Sequence, residues 1–338
     1  MMPAMKFFRR FFMRPLIIVA ALCASFVGVL GFMASMPGDD DGVMERELTA
    51  AEAATAEALR KHVEFLAKHP RNRDRPEHEQ AVLSYLEDAL TAAGWQPQRV
   101  EVTAKAGIFH SITARRTGTK RPDEIVVIGA HWDTHGPTPG ADDNASGCAA
   151  LLEIARWLGT RPTDRTVDLV FWANEEPPFF QTPDMGSFQH AATFRHANAN
   201  VVVAISLEML GYYDPNPGTQ NYPPVLRWFY PDHGGFIAFV GSMWHRGVVT
   251  ESVEAFREGG DFPAYGFAGP ETMPGIGFSD QWSFWQHDYA GFMVTDTSFF
   301  RTPHYHQYTD LPNTLDYPRF ARVVVGLRPV VTHWVGTS

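Results

Sequence analysis

One stretch, residues 124–176, constrains the fold more than any other part of the chain: EIVVIGAHWDTHGPTPGADDNASGCAALLEIARWLGTRPTDRTVDLVFWANEE. It opens on an apolar run at 125–128, passes Gly129 and delivers His131 and Asp133. A Gly/Pro loop leads to Asp142 and Asp143, and a helical pattern starts near Asn144. A second apolar run at 167–173 ends on Glu175 and Glu176. Short apolar runs alternating with a helical pattern predict β-α-β units and a parallel sheet. In such sheets ligands bind beyond the carboxyl ends of the strands. Here both strand ends carry carboxylates, the first with an imidazole as well, which is the donor set of a hard or borderline divalent metal.

Five residues at or just past predicted strand ends are the candidate ligands: His131, Asp143, Glu176, Glu208 and His306. A pair of zinc ions needs a bridging carboxylate and two further ligands per ion, and Asp143, held by the Gly140 turn, suits the bridge. Neighbouring side chains on an extended backbone diverge, so of Glu175 and Glu176 one ligates and the other stays free to move protons. A free carboxylate beside metal-activated water is the general-base arrangement of metal-assisted hydrolysis. Asp133 follows His131 by two residues on the same side of the strand end, placed to accept the other ring N–H and fix the tautomer.

The rest of the chain reads as alternating elements. Helices are predicted at 48–67, from 77 to Gly94, at 144–158, 187–196 and 249–256, with a closing helix at 317–332. Strands are predicted at 98–103, 107–114, 201–207, 236–240 and 292–295, with an exposed turn at 115–123. Residues 211–235 are rich in Pro, Tyr, Asn and Gly, and a loop of that length inside a compact domain is usually functional or disordered. Phe179, Phe180, Trp282 and Phe284 are candidates for a hydrophobic substrate pocket, with core packing the default for such residues, and His135 and His304 read as polar loop residues or as lining the site.

Charge excludes a nucleic-acid partner. The 28 basic and 38 acidic residues give a net charge of −10. Residues 1–38 hold Lys6, Arg9, Arg10 and Arg14 and no acid, so the remainder has 24 basic against 38 acidic residues, or −14. No basic patch stands out in it. The two cysteines, Cys23 and Cys148, fall in an apolar run and a core helix and rule out a disulfide framework.

Between Arg14 and Asp39 lie 24 uncharged, mostly apolar residues, enough for a helix to cross a hydrocarbon layer of roughly 30 Å. Basic residues precede the run and Asp39, Asp40 and Asp41 follow it, which leaves the amino terminus cytoplasmic and the body extracytoplasmic, periplasmic or extracellular. The expected organisation is a basic segment at 1–14, a transmembrane anchor or signal segment at 15–36, an acidic spacer at 37–46 and a single catalytic domain at 47–338. Cleavage of the segment would instead secrete the body.

The motifs HWD at 131–133, GADDNASG at 140–147, NEE at 174–176, SLEM at 206–209 and SDQWSF at 279–284 together closely resemble the two-zinc aminopeptidase family. That family also holds glutaminyl cyclases and glutamate carboxypeptidase-type enzymes. The resemblance covers roughly residues 60–335 and implies an α/β fold with a central mixed, mostly parallel sheet flanked by helices. By motif, Asp143 bridges two zinc ions, His131 and Glu208 complete one set, and Glu176 and His306 the other. Glu175 is then the general base, Asp133 the residue that orients His131, and Tyr305 a candidate oxyanion donor. The implied activity is hydrolysis of an N-terminal peptide bond in a peptide or small amide with a free N-terminus. The alternatives are a glutaminyl cyclase-like acyltransferase using one zinc, and an inactive binding ectodomain of the same fold. Three departures stand out: Glu208 where two-zinc members often have Asp, Gln281 where many relatives have His, and PPFF after Glu176 where small residues are usual.

Overall fold

The computed structural model describes residues 3–37, 46–72, 74–223 and 225–336, without the side chains of 3–17 and 20. Helix α1 (Pro3–Ala34) leads into α2 (Ala50–Leu66) and α3 (Pro76–Ala92). The hairpin β1 (Gln98–Ala104) and β2 (Gly107–Arg116) precedes β3 (Arg121–His131), α4 (Gly147–Leu158) and β4 (Arg165–Trp172). Then come α5 (Gly186–His196), β5 (Asn200–Glu208), β6 (Ile237–Ser242), α6 (Arg246–Gly259) and β7 (Ala264–Gly269). The short α7 (Gln281–Trp285), β8 (Gly291–Thr295) and α8 (Tyr317–Val335) close the chain.

The eight strands form one sheet in the order β1-β2-β4-β3-β5-β8-β6-β7. Pairings β3–β4, β3–β5, β5–β8 and β6–β7 are parallel, and β1–β2, β2–β4 and β6–β8 are antiparallel. Mixed is therefore the accurate description, with the parallel strands at the centre. Parallel strands covered on both faces are mostly apolar, and the inner stretches of β3 and β4 follow that rule apart from the buried Asp168, which pairs with Arg115. Val126 and Ile128 of β3, with Leu169 and Phe171 of β4, enter the main core beneath α2, α4 and α8. Val127 of β3, with Val170 and Trp172 of β4, faces a smaller cluster completed by Phe194 of α5 and Phe284 of α7.

Several boundaries depart from expectation for physical reasons. The turn expected at 115–123 shrinks because β2 continues through Arg116, pairing Arg115 with Asp168 of β4 in both register and charge. Helix α4 starts at Gly147, not Asn144, because Asp143 and Asn144 have non-helical backbone angles. Strand β7 and helix α7 were not foreseen. The β7 sequence AYGFAG is poor in β-branched residues, and its Gly266 is needed where Met36 and Val253 approach to 2.8 Å of a would-be Cβ.

Of the anchor expected at 15–36, residues 15–34 lie in α1 and 35–36 follow it, and the side chains of 15–17 and 20 are outside the described ones. Among the described residues, no helix is long and apolar enough to cross a membrane. The spacer expected at 37–46 falls on 38–45, outside the described residues. The end of α1 is not held apart from the body: Leu30 and Met33 are buried against it.

Candidate metal centre

Three neighbouring strands aim their carboxyl ends at one place. β3 ends on His131, β5 ends on Glu208, and the turn after β4 carries Glu175 and Glu176. Asp143 comes from the 141–146 turn before α4, and His306 from the loop after β8. All five predicted ligands are thereby brought together.

The 140–147 turn is built by its glycines and its asparagine. Gly140 has φ +62°, and a Cβ there would meet the Asp143 carbonyl at 2.3 Å. A Cβ on Gly147 would lie 2.3 Å from both Asn144 Oδ1 and the Leu207 carbonyl oxygen. The peptide between Asp143 and Asn144 is cis. Asn144 donates to the Leu207 carbonyl (2.9 Å) and accepts from the Gly147 and Met209 amides, tying the turn to the end of β5. Met209 and His306 have positive φ, beside and at ligating positions, and so does Asn174, next to Glu175. Backbone strain of about 1–3 kcal/mol per residue typically survives only where the surroundings enforce it, commonly at functional sites.

Two ligand sets share Asp143. One is His131, Asp143 and Glu208; the other is Asp143, Glu176 and His306. His131 Nε2 lies 3.5 Å from Asp143 Oδ1 and 3.2 Å from Glu208 Oε2. His306 Nε2 lies 3.2 Å from Asp143 Oδ2 and 3.5 Å from Glu176 Oε2. Tetrahedral zinc with bonds of ~2.0–2.2 Å sets neighbouring ligand atoms roughly 3.3 Å apart, and the four distances match. The two Asp143 oxygens face different histidines, as a bridge requires. Glu176 Oε1 is buried with no hydrogen-bond partner among the described residues. The donor set thus fits a pair of divalent cations.

Electrostatics points the same way. Burial, with Asp143 and Glu175 nearby, pushes Glu176 well above its ordinary range, and burial with the charge of Glu208 does so for Glu175. Burial raises Glu208 and lifts Asp280, which also feels the charge of Glu208, to about 7. His131 resists burial and is held well above its ordinary value by Glu208 and Glu175. Such crowding of buried carboxyl groups around two imidazoles is relieved by bound cations.

Asp133 acts differently from expectation. Its carboxylate accepts the amides of Glu175 and Glu176, each at 3.1 Å. His131 Nδ1 instead meets the Asp133 main-chain carbonyl at 3.2 Å, with the carboxylate farther off at 3.6 Å. Glu175 Oε2 lies 3.9 Å from His131 Nε2 and outside both ligand sets. Tyr305 stacks on His306, and burial raises its phenol well above the usual range.

The supporting residues were harder to foresee. Asp310 accepts the amides of Asp142 (2.8 Å) and Asp143 (3.1 Å). The buried Arg71 donates to the carbonyls of Leu66, Trp132, Pro139 and Gly140, joining the HWD and GADD loops. Ser279 donates to Glu208 Oε2 at 2.6 Å. His135, read as a polar loop residue or as lining the site, stacks on His306 at 3.8 Å. His304 bonds Thr309 and belongs to neither ligand set.

A cavity of about 240 Å³ is lined by Asp143, Glu175, Glu176, Glu208 and His306 and, elsewhere, by an apolar wall that includes Tyr222, Leu226, Phe267 and Ile276. Phe180 lines it as expected, with Phe278 crossing its edge. Phe179 and Phe284 are instead core residues, on Phe109 and Trp172, and Trp282 packs behind the cavity wall. The 211–235 segment contributes Gln220, Tyr222, Pro223, Leu226 and Tyr230.

With this geometry in place, comparison with known proteins identifies the family. The model of peptidase family M28 matches residues 111–330. The chain belongs to peptidase family M28. Uncharacterized protein YfbL of Escherichia coli K12 is 39% identical over 285 residues, covering 81% of this chain and 87% of the relative. A probable zinc metalloprotease of Pyrenophora tritici-repentis is 31% identical over 127 residues, which is 35% of this chain and 28% of the relative. An aminopeptidase from Aneurinibacillus sp. strain AM-1 shares the fold, with a TM-score of 0.64 at 14% identity over 85% of this chain and 96% of that one. M28 membership places the chain among the zinc-dependent aminopeptidase-type hydrolases.

Proposed function

We propose that this M28 protein is a membrane-tethered aminopeptidase with two zinc ions, acting on peptides or small amides whose first side chain is large and apolar. The observation that carries the reading is the pair of ligand sets sharing Asp143, with Glu175 beside them and unused by either. His131, Asp143 and Glu208 would hold one ion, and Asp143, Glu176 and His306 the other. When bound, zinc supplies Lewis acidity that polarises a carbonyl and acidifies water.

The protein's own groups do the rest. Asp133 fixes the Glu175–Glu176 turn through both amides, so that Glu176 faces Asp143 and His306 while the Glu175 carboxylate stays free. Glu175 takes a proton from the attacking water and returns it to the leaving amine. Tyr305, which keeps its proton through the physiological range, donates to the carbonyl oxygen as negative charge develops there. The apolar wall receives the first side chain. A cavity of roughly 150 Å³ already holds a benzene ring, so 240 Å³ has room for an aromatic or branched aliphatic group.

Tethering is supported by the apolar run and by the surface of α1, where Ile18, Leu22, Phe26 and Phe32 are exposed. Two exposed tryptophans, Trp228 and Trp244, lie in the short turns beside the end of α1. Amphipathic rings of this kind favour the membrane–water interface. The catalytic domain would then be extracytoplasmic.

A matched panel of peptides tests the activity. Release of the first residue from free-amine peptides, and none from the same peptides acetylated at the N-terminus, is the expected result. Equal cleavage of both sets, or cyclisation of an N-terminal Gln without hydrolysis, would overturn it.

A further inference from the structure

The apolar cavity has a second layer, and part of that layer comes from outside the residues matched to the family. Leu30 and Met33, near the end of α1, are buried in one cluster with Leu226, Phe267, Ile276 and Trp285. Tyr222, Tyr230, Val240 and Met273 pack against the same cluster. All of these body residues except Trp285 also line the cavity. One turn on, Met36 fills the space over Gly266, another cavity residue, at a distance no side chain there would allow.

The contact is latched by polar groups as well. Arg246 donates to the main-chain carbonyls of Phe32 (3.0 Å) and Ser35, and its guanidinium lies 4.3 Å over the Phe32 ring. Arg257 donates to the Pro37 carbonyl and, from its Nε, to Ala264 at the start of β7 (3.0 Å each). Phe32 lies in the last turn of α1, where carbonyls have no partner inside the helix, and the body supplies it a donor. The Tyr222 and Tyr230 hydroxyls are tied to the Pro231 and Gly266 carbonyls, so their ring positions depend on the packing behind them.

We infer that the end of α1, through Leu30, Met33 and Met36, positions the wall of the substrate cavity and so takes part in selecting the first side chain. The inference rests on the aminopeptidase reading for its substrate class, and on packing alone for the positioning. The segment that tethers the protein is also a structural part of its specificity pocket. Leu30 and Met33 touch no reacting atom and act through Leu226, Phe267 and Ile276.

The test uses the full chain in detergent, with L30A and M33A as variants, L30M and M33L as conservative rescues, and V29A on the exposed side of the helix as the control. Kinetics on aminoacyl amides of Ala, Leu and Phe give one readout. Calorimetric binding of phenethylamine, which needs no turnover, gives the other. The expected result for L30A and M33A is a KM that rises roughly tenfold for Leu and Phe substrates, with kcat and the Ala substrate little changed and phenethylamine bound more weakly by a similar factor. The rescues restore both readouts, and V29A leaves them unchanged. Unaltered binding and an unaltered substrate profile in L30A and M33A would overturn the inference, as would equal loss for all three substrates. A wild-type chain that cleaves no aminoacyl amide, yet whose phenethylamine binding falls in L30A, would overturn the aminopeptidase reading and leave the positioning of the wall intact.

Discussion

Glu175 and Glu176 are chemically identical neighbours given different work by their surroundings. Asp133 pins both amides, and the resulting turn sends one carboxylate toward Asp143 and His306 and leaves the other near His131. Substituting Glu175→Gln keeps the shape but removes the base. It is expected to lower kcat by about 10²–10⁴-fold with zinc content unchanged, checked by steady-state kinetics alongside metal analysis of the same sample. Asp133→Asn replaces one acceptor oxygen by an NH₂ facing an amide. An unpaired buried donor costs roughly 1–3 kcal/mol, so denaturant unfolding should show a loss of that size, and kcat should fall as the turn loosens.

At the scale of elements, the site depends on short, tightly specified turns. A methyl group on Gly147 would collide with Asn144 and the Leu207 carbonyl. Gly147→Ala is expected to destabilise the fold by about 1–3 kcal/mol and to reduce metal binding, both readable by thermal unfolding with and without added zinc. Away from the site, α2 begins with a reciprocal cap between Thr49 and Glu52, and Arg46 pairs with the Glu52 carboxylate. The Arg46 hydrogen bond, with help from Thr49, lowers Glu52 from its ordinary 4.5 to about 2. A carboxylate whose folded pKa is depressed adds stability above its unfolded pKa and loses it as pH falls through the folded value. The Tm gap between the wild type and Glu52→Gln should therefore be full above pH 4.5 and close as pH approaches 2. A gap that persists unchanged to pH 2 would contradict this.

The same scale explains what the sequence revealed. β3, α4 and β4 were legible because burial on both faces leaves the strands short, largely apolar runs and the helix a clean period. β7 was not, since its glycine serves the approach of Met36 and Val253 rather than any local preference. Among site residues, those carried on strand ends announced themselves by residue type. Arg71 did not, because it acts on backbone groups far away in sequence, and nothing in a charged loop marks such a partner. His135 could be read either as lining the site or as a polar loop residue, because its part is a ring stacked on His306, a contact without a spacing rule.

For the whole molecule, the mixed sheet gathers three carboxyl strand ends at one point, and the end of α1 packs behind the wall of the cavity beside it. The anchor reading predicts that the full chain sediments with membranes and resists extraction by alkaline carbonate, whereas release by carbonate would leave α1 as a packed helix only. Everything chemical, however, turns on whether Asp143 bridges two ions. The most direct measurement is zinc per chain in the full-length protein purified without chelator. Close to two zinc ions per chain is the expected result, falling to one or fewer in Asp143→Ala. A chain that takes up one zinc at saturation, or none, would contradict the shared-ligand centre.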